Sequence, residues 1–305
     1  MHEIRSSDGS SAAIYEHGAS LCSWRSDKGE ELLFLSSLAK FEPPTAIRGG
    51  IPVCWPQFGD MGPVKQQHGF ARNLAWQVVA ESGDSVTLAL APSEATREQF
   101  PHEWHVQLKS QVGDDSLTQE LSVTNRGDTP MPFTAALHTY FRVSDSSQAA
   151  VVGLQGLTYL DNLQGRKEVQ EEAGEVRFSG EVDRIYVGAP DLIKLVDRIY
   201  VGAPDFIKPV DRIYVGAPDL IKLVDPGRHR AVLVRKHGFQ DAVVWNPWVD
   251  KAKKMADFDD EGYKAGGTVW EMVCVEVAQA GSGPVTLQPG ETWRAGQTLQ
   301  LAQLD

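Results

Sequence analysis

The sequence predicts an all-β protein, a large antiparallel β-sandwich, and three observations carry that prediction. Short runs rich in Val, Leu, Thr and Trp recur along the 305 residues. Gly, Asp, Asn and Pro interrupt these runs roughly every ten residues, a spacing typical of successive strands and turns. Helical periodicity is confined to two short segments, SEATREQF and WVDKAKKMADF. Strands that follow one another without alternating helices favour antiparallel sheets packed as a sandwich or barrel.

The clearest strand candidates, in chain order, are SVTLALAP, WHVQLKSQVG, SLTQELSVTNRG, RAVLVRK, DAVVW, MVCVEVA and PVTLQPGETW. The segment SLTQELSVTNRGDTPMPFTAALHTYF predicts a strand pair, with a turn at residues 125–127 and a second strand running into His138. In MVCVEVA, the two-residue period of a strand places Met272, Cys274 and Glu276 on one face and the three valines on the other. No linker rich in Gly or Ser divides the chain, so residues 1–305 are predicted to form a single domain.

Composition and charge exclude several classes of partner. The formal net charge of −12 argues against nucleic acid or an anionic membrane as the main partner. No apolar run approaches the roughly 20 residues needed to cross a bilayer, and MHEIRSSDGS lacks the pattern of a secretory signal. Cys22, Cys54 and Cys274 are widely spaced in apolar segments, which is typical of reduced core residues rather than disulfides or metal ligands. We therefore expect a cytoplasmic protein and take a monomer as the working assumption.

A tandem triplication is the most unusual feature of the chain. VDRIYVGAPDLIKL (182–195) is followed by VDRIYVGAPDFIKP (196–209) and VDRIYVGAPDLIKL (210–223). Each unit is interpreted as a strand, a GAPD turn and a second strand, so the favoured prediction is a β-hairpin lengthened by local duplication. A solenoid or a dedicated binding surface is the alternative. Nothing outside these three units repeats, which favours the duplication.

The motifs that mark cofactor chemistry are absent from the sequence. It contains no Gly-rich phosphate loop before a helix, no GxSxG, no HExxH and no CxxC. The two histidines of HEWH (102–105) would face opposite sides of a strand and could not share a metal. The sequence therefore predicts no cofactor and no metal, and leaves acid–base chemistry by side chains.

Three segments combine aromatic, charged, Gly and Pro residues in a way that suits a sugar site. They are AIRGGIPVCWPQFGD (46–60), QQHGFARN (66–73) and FQDAVVWNPW (239–248). Aromatic rings pack on the apolar faces of a pyranose, while Arg and Gln bind its hydroxyl groups or a phosphate. Each segment alone also fits a tight turn with buried tryptophans, but the three together favour a binding site.

Six motifs in this order, AIRGGIPVCWPQFG, HGFARNLAW, ALHTYF, GEVDRIY, VVWNPW and VCVE, carry a family resemblance. The chain closely resembles the glucose-6-phosphate 1-epimerase branch of the aldose 1-epimerase, or galactose mutarotase-like, superfamily. The resemblance runs from about Gly18 to near the C-terminus and is interrupted only by the triplication. It implies a large galactose mutarotase-like supersandwich with its site in a cleft on one sheet. It also implies a sugar phosphate substrate and no cofactor.

The resemblance assigns His138 of ALHTYF as general acid and Glu276 of VCVE as general base. Mutarotation removes the proton of the anomeric hydroxyl while the ring oxygen is protonated, and each transfer is worth about 10²–10⁴-fold. From the residues alone, His138 also fits a hydrogen-bonded core histidine. A purely structural role fits Glu276 less well, because it interrupts an apolar face and burying an unpaired carboxylate costs free energy.

The same resemblance implies the substrate-binding residues. Arg48 of AIRGG, Arg72 of HGFAR and Gln67 beside it match substrate positions, and a guanidinium suits phosphate because it can donate two parallel hydrogen bonds. The Asp of VDRIY is a further substrate position, for which Asp183, Asp197 and Asp211 compete. Because an insertion at the hairpin tip would keep the first strand in the sheet, we expect Asp183 in the site. Residues 220–224 would then supply the return strand.

Three other functions stay open at this point. A mutarotase for unphosphorylated aldoses would not need Arg48 and Arg72 together. A carbohydrate-binding sandwich without activity would keep the tryptophans but would not need both His138 and Glu276. The triplicated segment could also be an interaction element on an enzyme scaffold. The retention of every acid–base and arginine position favours the enzyme.

Overall fold

A computed structural model describes residues 1–189, 192–197, 230–258 and 271–303. In these residues the chain forms antiparallel strands and two short α-helices, α1 (Glu94–Gln99) and α2 (Trp248–Ala252), which confirms the all-β prediction. Both helices lie in the two segments with helical periodicity. The strands, in chain order, are β1 (His2–Arg5), β2 (Ser11–Ile14), β3 (Leu21–Arg25), β4 (Val53–Cys54), β5 (Gln77–Glu81), β6 (Ser85–Leu90), β7 (Trp104–Gly113), β8 (Ser116–Asn125), β9 (Met131–Phe133), β10 (Ala135–Leu137), β11 (Tyr140–Arg142), β12 (Ala149–Val152), β13 (Thr158–Asp161), β14 (Lys167–Gln170), β15 (Glu175–Arg177), β16 (Val182–Tyr186), β17 (Leu192–Asp197), β18 (Arg230–His237), β19 (Asp241–Asn246), β20 (Met272–Gln279), β21 (Val285–Leu287) and β22 (Thr292–Gln303).

Two large sheets hold most of these strands. The nine-stranded sheet has the order β15-β12-β17-β18-β22-β8-β7-β6-β5. The eight-stranded sheet has the order β14-β13-β16-β19-β20-β10-β4. Its eighth strand, β11, pairs with the first half of β20, on the same edge as β10. Strands β1 to β3 form a three-stranded sheet, and β21 pairs with β9.

One apolar core joins the two large sheets face to face. In β7 and β8 the residues are buried in alternation, as expected for strands with one face on a core. Leu117 and Leu121 of β8 belong to the same buried cluster as Val273 and Val275 of β20. The sandwich prediction is therefore confirmed. Four almost completely buried tryptophans belong to this core: Trp24, Trp55, Trp76 and Trp104.

The predicted turn at residues 125–127 is confirmed, but the strand pair around it is wrong. The Asn125 side chain accepts from the backbone N–H of Gly127 and donates to the carbonyls of Thr129 and Leu287. β8 pairs with β7 and β22, whereas β10, which leads to His138, pairs with β20 and β4. Alternation identifies a strand but not its partner, and this turn carries the chain from one sheet to the other.

The hairpin prediction for the triplicated unit is also wrong in the copy that the structure describes. β16 pairs with β13 and β19 in the eight-stranded sheet, while β17 pairs with β12 and β18 in the nine-stranded sheet. Each strand thus has a neighbour on both sides, whereas an isolated hairpin would leave both outer edges unpaired.

The strand between β12 and β18 is formed by Leu192–Asp197. Residues 220–224, for which the return strand is predicted, lie outside the described residues. Residues 220–225 have the same sequence, LIKLVD, as Leu192–Asp197, so they offer the same groups for strand pairing.

Two further predictions concern the cysteines and the membrane. Cys22, Cys54 and Cys274 are free and buried, as predicted. Among the described residues, no helix is long and apolar enough to cross a membrane. The assignment of residues 1–305 to a single domain stays a prediction.

Candidate active site

A cavity of about 740 Å³ opens on one face of the eight-stranded sheet. Residues directly opposite each other on paired strands point to the same face. Asp183 lies opposite Trp245, and Trp245 opposite Cys274, while Val243 lies opposite Glu276. The register of β16, β19 and β20 therefore builds the floor of the cavity. Every sequence-predicted site residue lines it: Arg48, Gln67, Arg72, His138, Asp183 and Glu276.

His138 and Glu276 are brought together by the pairing of β20 with β10 and β11. Leu137 lies opposite Val277 and Tyr140 opposite Cys274, so the same register sets His138 opposite Glu276. His138 Nδ1 and Glu276 Oε1 are 3.4 Å apart, and the two side chains are 7% and 1% exposed. Neither this nitrogen nor either carboxylate oxygen has a hydrogen-bond partner among the described residues. The pair is therefore buried, and these atoms are available to bind a ligand.

Behind His138, the chain is anchored in the core by a buried polar contact. Thr139 Oγ1 lies 3.0 Å from Gln297 Nε2 of β22, which also donates to Gln119 of β8. The His138 backbone N–H donates to the carbonyl of Pro52 at 3.0 Å. Satisfied buried polar networks fix one arrangement of a core, so the imidazole is presented from a rigid base.

Burial pushes the pKa values of the two groups in opposite directions and favours the neutral form of each, so the base must lose a proton and the acid must gain one before they react. Desolvation raises the pKa of Glu276 well above its ordinary value, and Asp183 adds to this rise while Arg72 opposes it. Desolvation lowers the pKa of His138 well below its ordinary value, and Arg72 and Arg48 lower it further. Oppositely shifted pKa values in one cleft are typical of acid–base sites.

Arg48 is positioned by the two glycines that follow it. Gly50 has a φ of 64°, and a Cβ there would clash with the backbone of Leu21. Arg48 Nε donates to Asp257 Oδ2 at 3.1 Å, and Nη1 donates to the Tyr140 hydroxyl at 3.0 Å. The guanidinium is thus held from two sides beside the acid–base pair.

Arg72 and Gln67 come from the loop that carries HGFARN. Gly69 lies so close to the Trp55 carbonyl that a Cβ would clash with it, and Arg72 follows in a short 3₁₀ turn, Ala71–Asn73. Arg72 Nη2 donates to the backbone carbonyl of Gln67 at 3.0 Å. Its Nε is buried without a partner, and in the described part of the chain no carboxylate lies within ion-pair distance of it.

Asp183 occupies the opposite side of the cavity. It accepts from Asn162 Nδ2 at 2.7 Å, and Lys251 Nζ lies 3.8 Å from its other oxygen. Burial raises the pKa of Asp183, and the bond from Asn162 counters that rise. Of the competing copies, Asp197 lies in β17 of the other large sheet, and Asp211 lies outside the described residues.

Sequence reasoning missed three residues that complete the cavity. His68 accepts from the Gly59 backbone N–H at Nδ1, so a neutral ring carries its proton on Nε2, and burial lowers its pKa. Tyr140 stacks on the His138 ring at 4.7 Å and 11°. Lys251 lies on α2 and bonds to Glu181 at 2.7 Å. His68 lies in HGFARN with Arg72, and Tyr140 lies in ALHTYF with His138, so the same two motifs contain the signal for them.

One group of side chains could hold a metal ion. The ligand atoms of His138, Cys274 and Glu276 lie within 4.8 Å of one another, and all three residues are buried. Imidazole, thiolate and carboxylate suit Zn²⁺. An ion there would occupy the nitrogen and oxygens that proton transfer needs, so the absence of a metal cofactor stays a prediction.

Comparison with known proteins places the chain in a family. A family model for aldose 1-epimerase matches residues 1–300. The chain belongs to the aldose 1-epimerase family. The resemblance noted in the sequence motifs is thereby confirmed.

Relatives and solved structures narrow the comparison. A protein of Cenchrus ciliaris named "Putative glucose-6-phosphate 1-epimerase" is 40% identical over 295 residues, which cover 93% of this chain and 79% of the relative. A Salmonella typhimurium protein of the same name is 32% identical over 300 residues, 96% of this chain and 87% of its own length. The crystal structure of a "putative mutarotase" from Salmonella typhimurium has a TM-score of 0.76 at 30% identity, over 96% of this chain and 88% of that one.

Proposed function

We propose that this member of the aldose 1-epimerase family is a hexose-6-phosphate mutarotase that interconverts the α and β anomers of glucose 6-phosphate. The observation that carries the proposal is the position of two arginines in the same cavity as a buried His–Glu pair. A phosphate dianion needs cationic hydrogen-bond donors, and the chain as a whole carries a formal charge of −12. Arg48 and Arg72 supply those donors locally. The names of the relatives agree with this substrate.

The His–Glu geometry accounts for the chemistry. Glu276 removes the proton of the anomeric hydroxyl while His138 protonates the ring oxygen, and the bond between C1 and the ring oxygen breaks to give the aldehyde. Because both oxygens are attached to C1, the acid and the base must be neighbours, as they are at 3.4 Å. Rotation about the C1–C2 bond and closure on the other face return both protons.

The remaining polar groups bind the substrate. Asp183 accepts hydrogen bonds from sugar hydroxyls, and the Trp245 ring lines the cavity to pack on the pyranose. Gln67 and His68 complete the donors around the ring. No step requires an oxidant, a reductant or a second substrate.

One observation favours a second candidate, a mutarotase for unphosphorylated aldoses. Arg48 already forms an ion pair with Asp257 at 3.0 Å, so its charge is matched without a phosphate. Anomer-exchange NMR on glucose 6-phosphate beside glucose distinguishes the two. We expect exchange well above the spontaneous rate on glucose 6-phosphate and a smaller acceleration on glucose. Equal acceleration on both sugars would favour the second candidate, a mutarotase that does not need the phosphate group.

Arginine substitutions test the phosphate site directly. Arg48→Ala or Arg72→Ala should weaken use of glucose 6-phosphate by about 1.5–3 kcal/mol, the scale of hydrogen bonds to charged groups. The loss on glucose should be clearly smaller. Arg97→Ala, on the exposed helix α1, is the matched control. An equal loss on both sugars would show that the arginines shape the cavity generally and do not select phosphate.

A further inference from the structure

Cys274 has no part in the proposed mechanism, yet it lies beside the acid–base pair. The two-residue period of β20 places Cys274 and Glu276 on the same face, and the register sets His138 opposite Glu276. One ligand atom of each of the three side chains lies within 4.8 Å of the others, and all three residues are buried. The spacing of the cysteines along the chain gives no sign of this cluster, because strand pairing brings its members together.

Three polar atoms of this cluster have no hydrogen-bond partner among the described residues. They are His138 Nδ1 and both carboxylate oxygens of Glu276, on side chains that are 7% and 1% exposed. Buried polar groups are normally satisfied, and an exception needs an explanation such as water or an ion. The Cys274 thiol donates weakly to Met272 Sδ at 3.6 Å, so its sulfur also remains available.

The distances in the cluster fit a tetrahedral zinc site. Two ligands at about 2.1 Å from Zn²⁺ are separated by about 3.4 Å in that geometry, and His138 Nδ1 lies 3.4 Å from Glu276 Oε1. The bond to a thiolate is longer, about 2.3 Å, so the sulfur belongs about 3.6 Å from the other two ligands. The limit of 4.8 Å leaves a shift of about 1 Å to close the site. Water in the cavity supplies a fourth ligand.

Charge and ligand type decide which cation this cluster takes. A thiolate and a carboxylate together match the two charges of the ion. Arg48 and Arg72 line the same cavity, and their charge weakens the binding of any cation. Imidazole and thiolate suit zinc, whereas Mg²⁺ and Ca²⁺ take oxygen ligands. We therefore expect a reversible site that binds Zn²⁺ and rejects Mg²⁺.

We propose that His138, Cys274 and Glu276 form an inhibitory Zn²⁺ site, in which the ion occupies the atoms that transfer protons to and from the sugar. Zn²⁺ binds the neutral imidazole, the carboxylate and the thiolate, and the displaced carboxyl and thiol protons leave to solvent without any transfer of electrons. A metal-bound carboxylate and imidazole no longer exchange protons with the substrate. The inhibitory effect rests on the proposed function, whereas metal binding does not.

Cobalt tests the site without an assay of activity. Co²⁺ replaces Zn²⁺ in tetrahedral sites, and its bond to a cysteine sulfur gives a charge-transfer band in the near ultraviolet. Titration of the reduced protein with Co²⁺ should develop this band up to one ion per chain, and Cys274→Ala should abolish it. Cys22→Ala, which removes a buried cysteine of β3 outside the cluster, should retain it. The absence of a band, or an equal band in Cys274→Ala, would overturn the proposal.

Two further variants test the same site if Cys274→Ala does not fold. His138→Gln and Glu276→Gln should each weaken Co²⁺ binding by at least about tenfold, because even groups that only support a metal ligand change affinity by about 10–100-fold. Wild-type affinity in both variants would overturn the proposal, since the ion would then be bound elsewhere on the protein.

Inhibition is measured as anomer exchange of glucose 6-phosphate. Zn²⁺ should slow exchange in competition with the sugar, and EDTA should restore it. Mg²⁺ at the same concentration should have no effect, which controls for metal bound to the substrate phosphate. In Cys274→Ala, the Zn²⁺ concentration that halves the variant's own rate should rise by at least about tenfold, whereas Cys22→Ala should respond as wild type does. Equal inhibition of wild type and Cys274→Ala would overturn the proposal.

The two measurements separate this inference from the proposed function. If the protein does not accelerate exchange of glucose 6-phosphate, the proposed function fails, and the Co²⁺ titration still decides whether the metal site exists. If exchange is accelerated but no band depends on Cys274, the metal site is wrong and the mutarotase proposal stands. A band that depends on Cys274, without inhibition by Zn²⁺, would overturn the inhibitory role.

Discussion

Glu276 is 1% exposed, and neither of its oxygens has a partner among the described residues. If it is the base, Glu276→Gln removes the proton acceptor while keeping the shape of the side chain. We expect anomer exchange to fall by at least about 10²-fold in Glu276→Gln and in His138→Ala, because each group moves a different proton. Circular dichroism should show both variants folded. Near wild-type exchange in either would remove that residue from the mechanism.

The same carboxylate predicts a dependence of stability on pH. Burial raises the pKa of Glu276 above its ordinary 4.5, so above pH 4.5 the unfolded state releases a proton that the folded state keeps. The contribution to the free energy of unfolding is therefore full below pH 4.5 and falls as pH rises towards the folded pKa. At neutral pH the free energy of unfolding of Glu276→Gln should exceed that of wild type by about 1 kcal/mol or more, and its melting temperature should be higher. Both differences should shrink in acid.

Thermal melts between about pH 4 and about pH 8 measure this difference. Glu98→Gln, at an exposed position of α1, is the matched control and should show no such trend. A stability difference for Glu276→Gln that is constant across the series would contradict the assigned pKa direction.

At the scale of single residues, sequence motifs led to six side chains that share one cavity, and their roles stay proposals. The sequence does not predict the hydrogen-bond or ion-pair partner of each of these side chains. Asp257 lies 209 positions from Arg48, and no local pattern connects them. The orphan Nε of Arg72 is equally invisible, because it depends on which backbone groups surround the guanidinium after folding.

Strand β11 and the segment after α2 hold Arg48 between them, and this arrangement gives an element-scale prediction. Tyr140→Phe removes the hydroxyl that accepts from Arg48 but keeps the ring that stacks on His138. KM for glucose 6-phosphate should rise by about tenfold, the value of one hydrogen bond to a charged group, with little change in kcat. Tyr140→Leu also removes the stacked ring and should lower kcat as well.

Steady-state kinetics on both variants separate the two roles of Tyr140. Equal losses of kcat in Tyr140→Phe and Tyr140→Leu would contradict a positioning role and place the hydroxyl in the chemistry.

Element positions were more accessible to sequence reasoning than element partners. The apolar alternation of β7 and β8 is set by a core on one side of their sheet, and it is local. Pairing is not local: β8 lies beside β22, while β10, which begins ten residues after β8 ends at Asn125, lies in the other large sheet. The hairpin expected for residues 182–195 failed for the same reason, since each half found better neighbours in a different sheet.

For the whole molecule, the triplication gives a deletion prediction. Excising residues 196–223 joins Leu195 to Val224 and restores the sequence LIKLVD, because residues 224–225 repeat residues 196–197. β17 then keeps its place between β12 and β18, and Asp183 stays in β16. A change in connection length costs only about 0.6 kcal/mol per doubling of a flexible loop. Exchange activity and melting temperature should therefore survive.

The deletion is measured by calorimetry and by anomer exchange. One cooperative transition in both the wild-type and the excised protein would also fit a single domain. An excised protein that does not fold, or that loses activity while Asp183 remains, would show that a later copy occupies the site. Deleting residues 182–195 as well is the informative contrast, because it removes β16 and should abolish folding.

The position of β22 has a consequence for synthesis on the ribosome. This strand lies between β18 and β8 and so joins the two halves of the nine-stranded sheet, although residues 292–303 are translated after every other described strand. Until they emerge, β8 and β18 each present an unpaired edge, and such edges recruit other chains. The nascent protein therefore passes through a long, aggregation-prone interval that ends only when this strand is inserted. Chaperones that shield strand edges should bind chains halted before residue 292 and release chains extended past residue 303.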